Sequence, residues 1–195
     1  MGTLRINETE LGTIKTKNMI YVSFFTALIA IGAFIRVPVP YCPFTLQLTC
    51  TTLAGMLLGA KLGALACGLY VILGLAGLPI FTQGGGPSYV LQPTFGYLIG
   101  FIIGAFLTGW VVHNGELTMQ RLLAGSFLGL IVVYAVGVAY YWVISRFWLG
   151  KSMSAWTLFL YCFFLPVPGD IALCFVSSAL GKRLIPIMKR REAMA

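Results

Sequence analysis

Residues 44–78 read FTLQLTCTTLAGMLLGAKLGALACGLYVILGLAGL, with Lys61 as the single charged residue. The short run Gly59-Ala60-Lys61-Leu62-Gly63 reads as a tight turn capped by that charge, which divides the stretch into two apolar segments, 44–60 and 62–78. Apolar runs of this length without charge are the mark of membrane-crossing helices. Working outward, a first segment covers 19–36, a fourth 93–112 and a fifth 122–144. The last apolar stretch, 154–185, has 32 residues. As one helix it would be about 48 Å long, more than a hydrocarbon core of about 30 Å. Pro166 and Pro168 interrupt it. Proline suits a helix's first turn and breaks its interior. A sixth helix is therefore expected from about Pro168, approached by a tilted or interfacial stretch from Trp156 to Leu165.

The composition agrees. The chain has 195 residues, 59% of them hydrophobic and only 9% charged, with a mean hydropathy of +0.93. A soluble surface needs about a quarter of its residues charged, so the solvent is lipid. The expected architecture is all-α: an integral membrane bundle of six transmembrane helices, residues 18–188, between tails at 1–17 and 189–195. The first apolar run begins near Asn18 and lacks a small-residue cleavage pattern, so it is expected to be retained rather than removed as a signal peptide. With six spans, ten basic residues fall on the side of the termini and only Arg36, Arg146 and Lys151 on the other, which puts both termini in the cytoplasm.

The net charge of +8 comes from residues scattered near helix ends and at the termini. No basic stripe with interleaved aromatics exists to hold nucleic acid. The five cysteines include no C-x-x-C pair, and the one histidine, His113, sits in a polar break, so no metal site or cofactor is expected. Gly150-Lys151-Ser152 resembles the end of a phosphate-binding loop, but the earlier glycine that such a loop needs is Ser145. Nothing here forms a nucleophile–base set, and no enzymatic activity is expected. Glycines recur four apart at Gly55/Gly59, Gly96/Gly100/Gly104 and Gly125/Gly129, a spacing that favours close packing within a bundle. On the first helix, Ser23/Ala27 and Thr26/Ala30 form a similar small stripe on a bulky helix, a candidate docking face for an external membrane partner.

Of five acidic residues, only Asp170 lies within an apolar stretch. A charge in a bilayer is costly, so such residues normally face a cavity. With Pro168 as the first helical residue, Asp170 falls in the first turn, where free N–H groups and the helix dipole favour a carboxylate. It suits a ligand that offers N–H donors or a cation; the plain alternative is a helix cap. Two loops on the same outer side complete the candidate site. The loop after the third segment carries Phe81, the glycines Gly84, Gly85 and Gly86, then Ser88, Tyr89 and Thr94, and no charge. Its glycines either bring backbone groups to a ligand or make a plain flexible loop. The loop after the first segment carries three prolines and then Thr45 and Gln47; the Gln47 amide both donates and accepts, so it could read an amide or ureido edge.

The run Pro38-Val39-Pro40, Pro43-Phe44-Thr45-Leu46-Gln47, the stretch 53–63, Gly77-Leu78-Pro79-Ile80-Phe81 with its glycine triplet, Pro93-Thr94 with Gly96-Tyr97, and Pro168-Gly169-Asp170 together resemble the BioY family. These are biotin-specific S components of energy-coupling factor transporters, and the resemblance covers about Thr26 to Lys182. It implies a six-helix bundle that binds biotin near its outer face, a transmembrane coupling protein and two cytoplasmic ATPases as partners, and toppling in the membrane to release the vitamin. Asp170 would take the ureido N–H groups, with Gln47 and Tyr97 around the ring and Phe81, Tyr89 and Tyr141 over the apolar part. Ser88, Thr94 and loop N–H groups would take the carboxylate, with Arg36 at the rim as an alternative. Two positions depart from the pattern: Gln92 and Phe95 stand in a motif that is commonly Gly-Pro-Thr-Gly-Gly-Tyr, and Leu173 stands where a lysine often follows the aspartate. The rival readings are an S component for another vitamin and a self-sufficient carrier.

Overall fold

The computed structural model describes residues 8–37, 44–148, 154, 156, 157 and 160–193. It is an all-α, membrane-spanning bundle with five long helical elements: α1 (Glu8–Phe34), α2 (Gln47–Leu75), α3 (Phe95–His113), α4 (Met119–Phe147) and α5 (Val167–Ala193). Each contains a stretch long and apolar enough to cross a membrane. Bulky apolar side chains such as Phe24, Ile72, Ile131 and Phe175 stand on the outside. In lipid that is the matched solvent, and a helix satisfies its own interior backbone groups there.

The second and third apolar segments are the two helical arms of α2, divided at Gly59. Gly59 has φ 83° and ψ 177°, a backbone conformation that a side chain would oppose. A Cβ placed on Gly63 would come within 2.7 Å of the Gly55 Cα. An unbroken helix would hold residues eight apart at about 12 Å, so the chain folds back on itself at Gly59. The glycines that recur four apart mediate internal packing. A Cβ on Gly55 would lie 2.4 Å from the Ala105 carbonyl oxygen of α3, and one on Gly100 would lie 2.8 Å from the Val133 Cα of α4. Helices approach to backbone contact only at such positions. Interhelical hydroxyl bonds reinforce the joints: Thr108 donates to the Gly125 carbonyl at 3.0 Å, and Ser126 and Ser178 share a 3.0 Å bond between α4 and α5.

Several element ends differ from the sequence expectation. α1 starts at Glu8, within the stretch read as a tail, and α5 runs to Ala193. Both extensions are polar, so hydropathy gives no sign of them. α5 begins one residue before Pro168 and follows a π-helical turn, Leu160–Phe164, where the approach stretch was expected. Between α1 and α2 a two-residue antiparallel ladder joins β1 (Arg36–Val37) to β2 (Phe44–Thr45), with Arg36 opposite Thr45. Pro38–Pro43 and Gly150-Lys151-Ser152 lie outside the described residues.

Candidate functional site

The site assembles where four elements meet. α5 contributes Asp170 in its first turn, with the Asp170 amide donating to the Pro166 carbonyl at 3.1 Å. α4 contributes Tyr134, whose hydroxyl donates to Asp170 Oδ2. α2 contributes Gln47 from its first residue, and the start of α3 brings Thr94 and Tyr97. Around them lies a small cavity of about 60 Å³, open to solvent at its mouth. Thr45, Thr82 and Tyr89 line it on the loop side, and Leu48, Leu98, Phe101 and Val133 supply an apolar wall.

Asp170 is only 8% exposed and has one oxygen engaged by Tyr134. Tyr134 is itself held edge-on between Tyr97 and Phe163, at ring-centroid distances of 5.9 and 5.4 Å. Tyr97 is pinned by its hydroxyl, which donates to the Cys162 carbonyl at 2.8 Å. The carboxylate is thus fixed by a phenol that aromatic packing fixes in turn. Two other wall groups are buried without satisfaction. The Gln47 side chain reaches toward the Tyr70 hydroxyl, yet its Nε2 has no partner at hydrogen-bond distance and angle. Thr94 Oγ1 has none either. Buried polar atoms are costly to leave unpaired, and here both belong to residues that line the same cavity as Asp170. The site offers an acceptor, a donor and a hydroxyl around an apolar slot, which suits a small flat molecule with N–H groups beside a carbonyl.

Of the residues singled out by sequence, Asp170, Gln47, Thr45, Tyr89, Thr94 and Tyr97 line the cavity. Phe81 is fully buried one layer behind, packed against Tyr70 at 5.3 Å and Tyr89 at 4.5 Å. None of the three glycines of the triplet lines the cavity either. Gly84 and Phe81 exchange backbone bonds of 3.2 and 2.9 Å, Gly86 donates to the Gly74 carbonyl at 2.7 Å, and a Cβ on Gly85 would sit 2.1 Å from the Leu78 oxygen. The Gly84 and Gly86 amides are therefore spent on the loop's own fold, which presses Tyr89 and Thr82 onto the cavity. Ser88 is exposed and away from the wall. Tyr141 is buried in the α4 core beside it. Arg36 stands at the rim, where its guanidinium donates to the Thr82 carbonyl. On α1, Thr26 turns inward and donates to the Ala66 carbonyl at 3.1 Å, Ala30 is half-buried, and Ser23 and Ala27 face outward. Tyr134 was missed by sequence, although it lies seven residues from Tyr141 on one helix face. Replacing Tyr134 by Phe should leave the fold intact and weaken ligand binding about three- to tenfold, the scale of one hydrogen bond to a carboxylate released from its anchor; titration of the purified variant checks this.

A multi-pass α-helical membrane protein with a solvent-open, polar-ended cavity is built to capture a small molecule at the membrane. The fold is that of an S component. The chain superimposes with a TM-score of 0.76 on the 2.1 Å crystal structure of the S-component for biotin from an ECF-type ABC transporter, at 28% identity over 88% of this chain and 92% of that one. The BioY family profile matches residues 6–190, and the chain belongs to the BioY family. It is 41% identical over 180 residues to the probable biotin transporter BioY of Lysinibacillus sphaericus, covering 92% of each chain. It is 43% identical over 123 residues to the biotin transporter BioY of Thermotoga maritima, covering 63% of this chain and 72% of that one. Members of the family are transport proteins rather than enzymes.

Proposed function

We propose that this chain is the biotin-binding S component of an ECF-type vitamin importer, working in the cytoplasmic membrane. The observation that carries the assignment is the pairing of the Asp170 carboxylate, an acceptor, with the buried Gln47 amide, a donor, on one cavity. A ureido ring presents the complement: N–H groups flanking a carbonyl. In this reading Asp170 receives ureido N–H groups and Gln47 donates to the carbonyl. Tyr97, Thr45 and Tyr89 border the bicycle, Phe81 and Tyr141 support that wall, and Thr94 lies along the acyl chain.

The topology follows the same reading. α2 crosses the bilayer as two arms folded at Gly59, giving six crossings. The basic residues then place both termini in the cytoplasm and the cavity at the outer face. Residues 18–188 form the membrane domain, with cytoplasmic tails whose helical ends extend from it. The partners are the transmembrane coupling protein and two ATPases of an ECF transporter. The outward pair Ser23 and Ala27 on α1 is the close-approach face for the coupling protein, while Thr26 and Ala30 join α1 to its own bundle. Mass spectrometry of the ligand retained on the purified protein, backed by titration with a vitamin panel, tests the assignment. Biotin is the expected ligand. Retention of thiamine or riboflavin would point to an S component of another specificity, and biotin uptake by vesicles holding this chain alone would point to a self-sufficient carrier.

A further inference from the structure

The described wall of the cavity contains Asp170 and, among the described residues, no Lys, Arg or His. Biotin carries a carboxylate at the end of its acyl chain. Seating that group inside would bury a charge with no cation on the described wall to balance it and set it beside a like charge, both unfavourable. The polar groups that match the ring lie deep, at Asp170 and Gln47, which are 8% and 2% exposed. With the ring there, the chain runs toward the mouth, where Thr45 and Thr82 line the cavity. The one described cation at that mouth is Arg36, paired with Thr45 across the β1–β2 ladder. Its guanidinium is exposed and already donates to the Thr82 carbonyl. An exposed ion pair contributes at most about fivefold in affinity.

Resting on the biotin reading above, we infer that the site recognises the ring end alone and also captures biotin derivatives whose carboxylate is capped as an amide or ester, including conjugates that continue from that carbon into solvent. The tail carboxylate stays hydrated at the mouth, and its charge is not part of the recognition.

Titrating the purified full chain with biotin, biotin primary amide and biotin methyl ester tests this. The amide and the ester are expected to bind within about tenfold of biotin. Arg36→Gln should cost biotin no more than about fivefold and leave the amide unchanged. If biotin binds but both capped forms bind more than about tenfold weaker, the inference is overturned and a carboxylate-holding cation, Lys151 included, covers the cavity. A loss well beyond fivefold for biotin alone in Arg36→Gln overturns it too, by making Arg36 that cation. If biotin itself fails to bind, the functional assignment falls, and this inference with it.

Discussion

Asp170→Asn will bind biotin at least about tenfold more weakly than the unaltered protein, and up to about a hundredfold. Hydrogen bonds to a charged group contribute about 1.5–3 kcal/mol, and each 1.4 kcal/mol is tenfold. Asparagine is nearly isosteric. Its carbonyl can still face the ligand while its amide turns to the Tyr134 hydroxyl, which accepts as readily as it donates. The fold should therefore survive and the loss should fall on binding alone. Asp170→Ala should lose more, because it also leaves the Tyr134 hydroxyl buried and unpaired. Isothermal titration checks the affinities, and thermal unfolding of the apo proteins checks that the fold is intact. Undiminished affinity in Asp170→Asn would remove this carboxyl group from the site.

The second large effect lies in the packing that brings the site together. Gly55→Ala sets a methyl group 2.4 Å from the Ala105 carbonyl oxygen, backbone against backbone, with Gly63 pressing from the returning arm of α2. No side-chain rotation relieves such a contact, so α2 and α3 must separate. Overpacking of this kind costs typically about 1–3 kcal/mol. Gln47 on α2 and Thr94 and Tyr97 beside or within α3 depend on that approach, so biotin affinity should fall along with thermal stability. Gly68→Ala is the matched control. It lies on the same element and its Cβ would meet nothing within 4 Å. That variant should be neutral or slightly stabilised, since alanine is the better helix residue. A Gly55→Ala protein as stable as Gly68→Ala would contradict the helix spacing described above.

These contrasts explain what was legible in the sequence. The apolar segments and their breaks depend on local chemistry. Pro93 and Thr94 lie just before α3, Pro166 lies just before α5 and Pro168 in its first turn, and Gly59 marks the fold in α2. Asp170 was legible because a carboxylate in an apolar stretch has so few uses. Other features needed the third dimension. Tyr134 and Tyr141 lie one heptad apart on a face of α4 that also carries Gly125, Ser126, Gly129 and Gly137, and that spacing alone does not say which tyrosine reaches the cavity; Tyr141 is buried beside the wall rather than in it. The glycine triplet announced a special backbone but not its use. Whether its amides face a ligand or one another depends on the Phe81–Gly84 pairing, a contact that exists only once the loop has closed. The inward turn of Thr26 likewise depends on where α2 places the Ala66 carbonyl.

In the proposed mode of binding, Asp170 accepts N–H groups from the head of the vitamin. The most direct measurement is titration of the unaltered protein with biotin and with biotin methylated on both ureido nitrogens, which keeps the ring and tail but removes both donors. Saturable one-to-one binding of biotin, with affinity for the methylated form reduced by at least about a hundredfold, is the predicted result. Equal affinity for the two would contradict it.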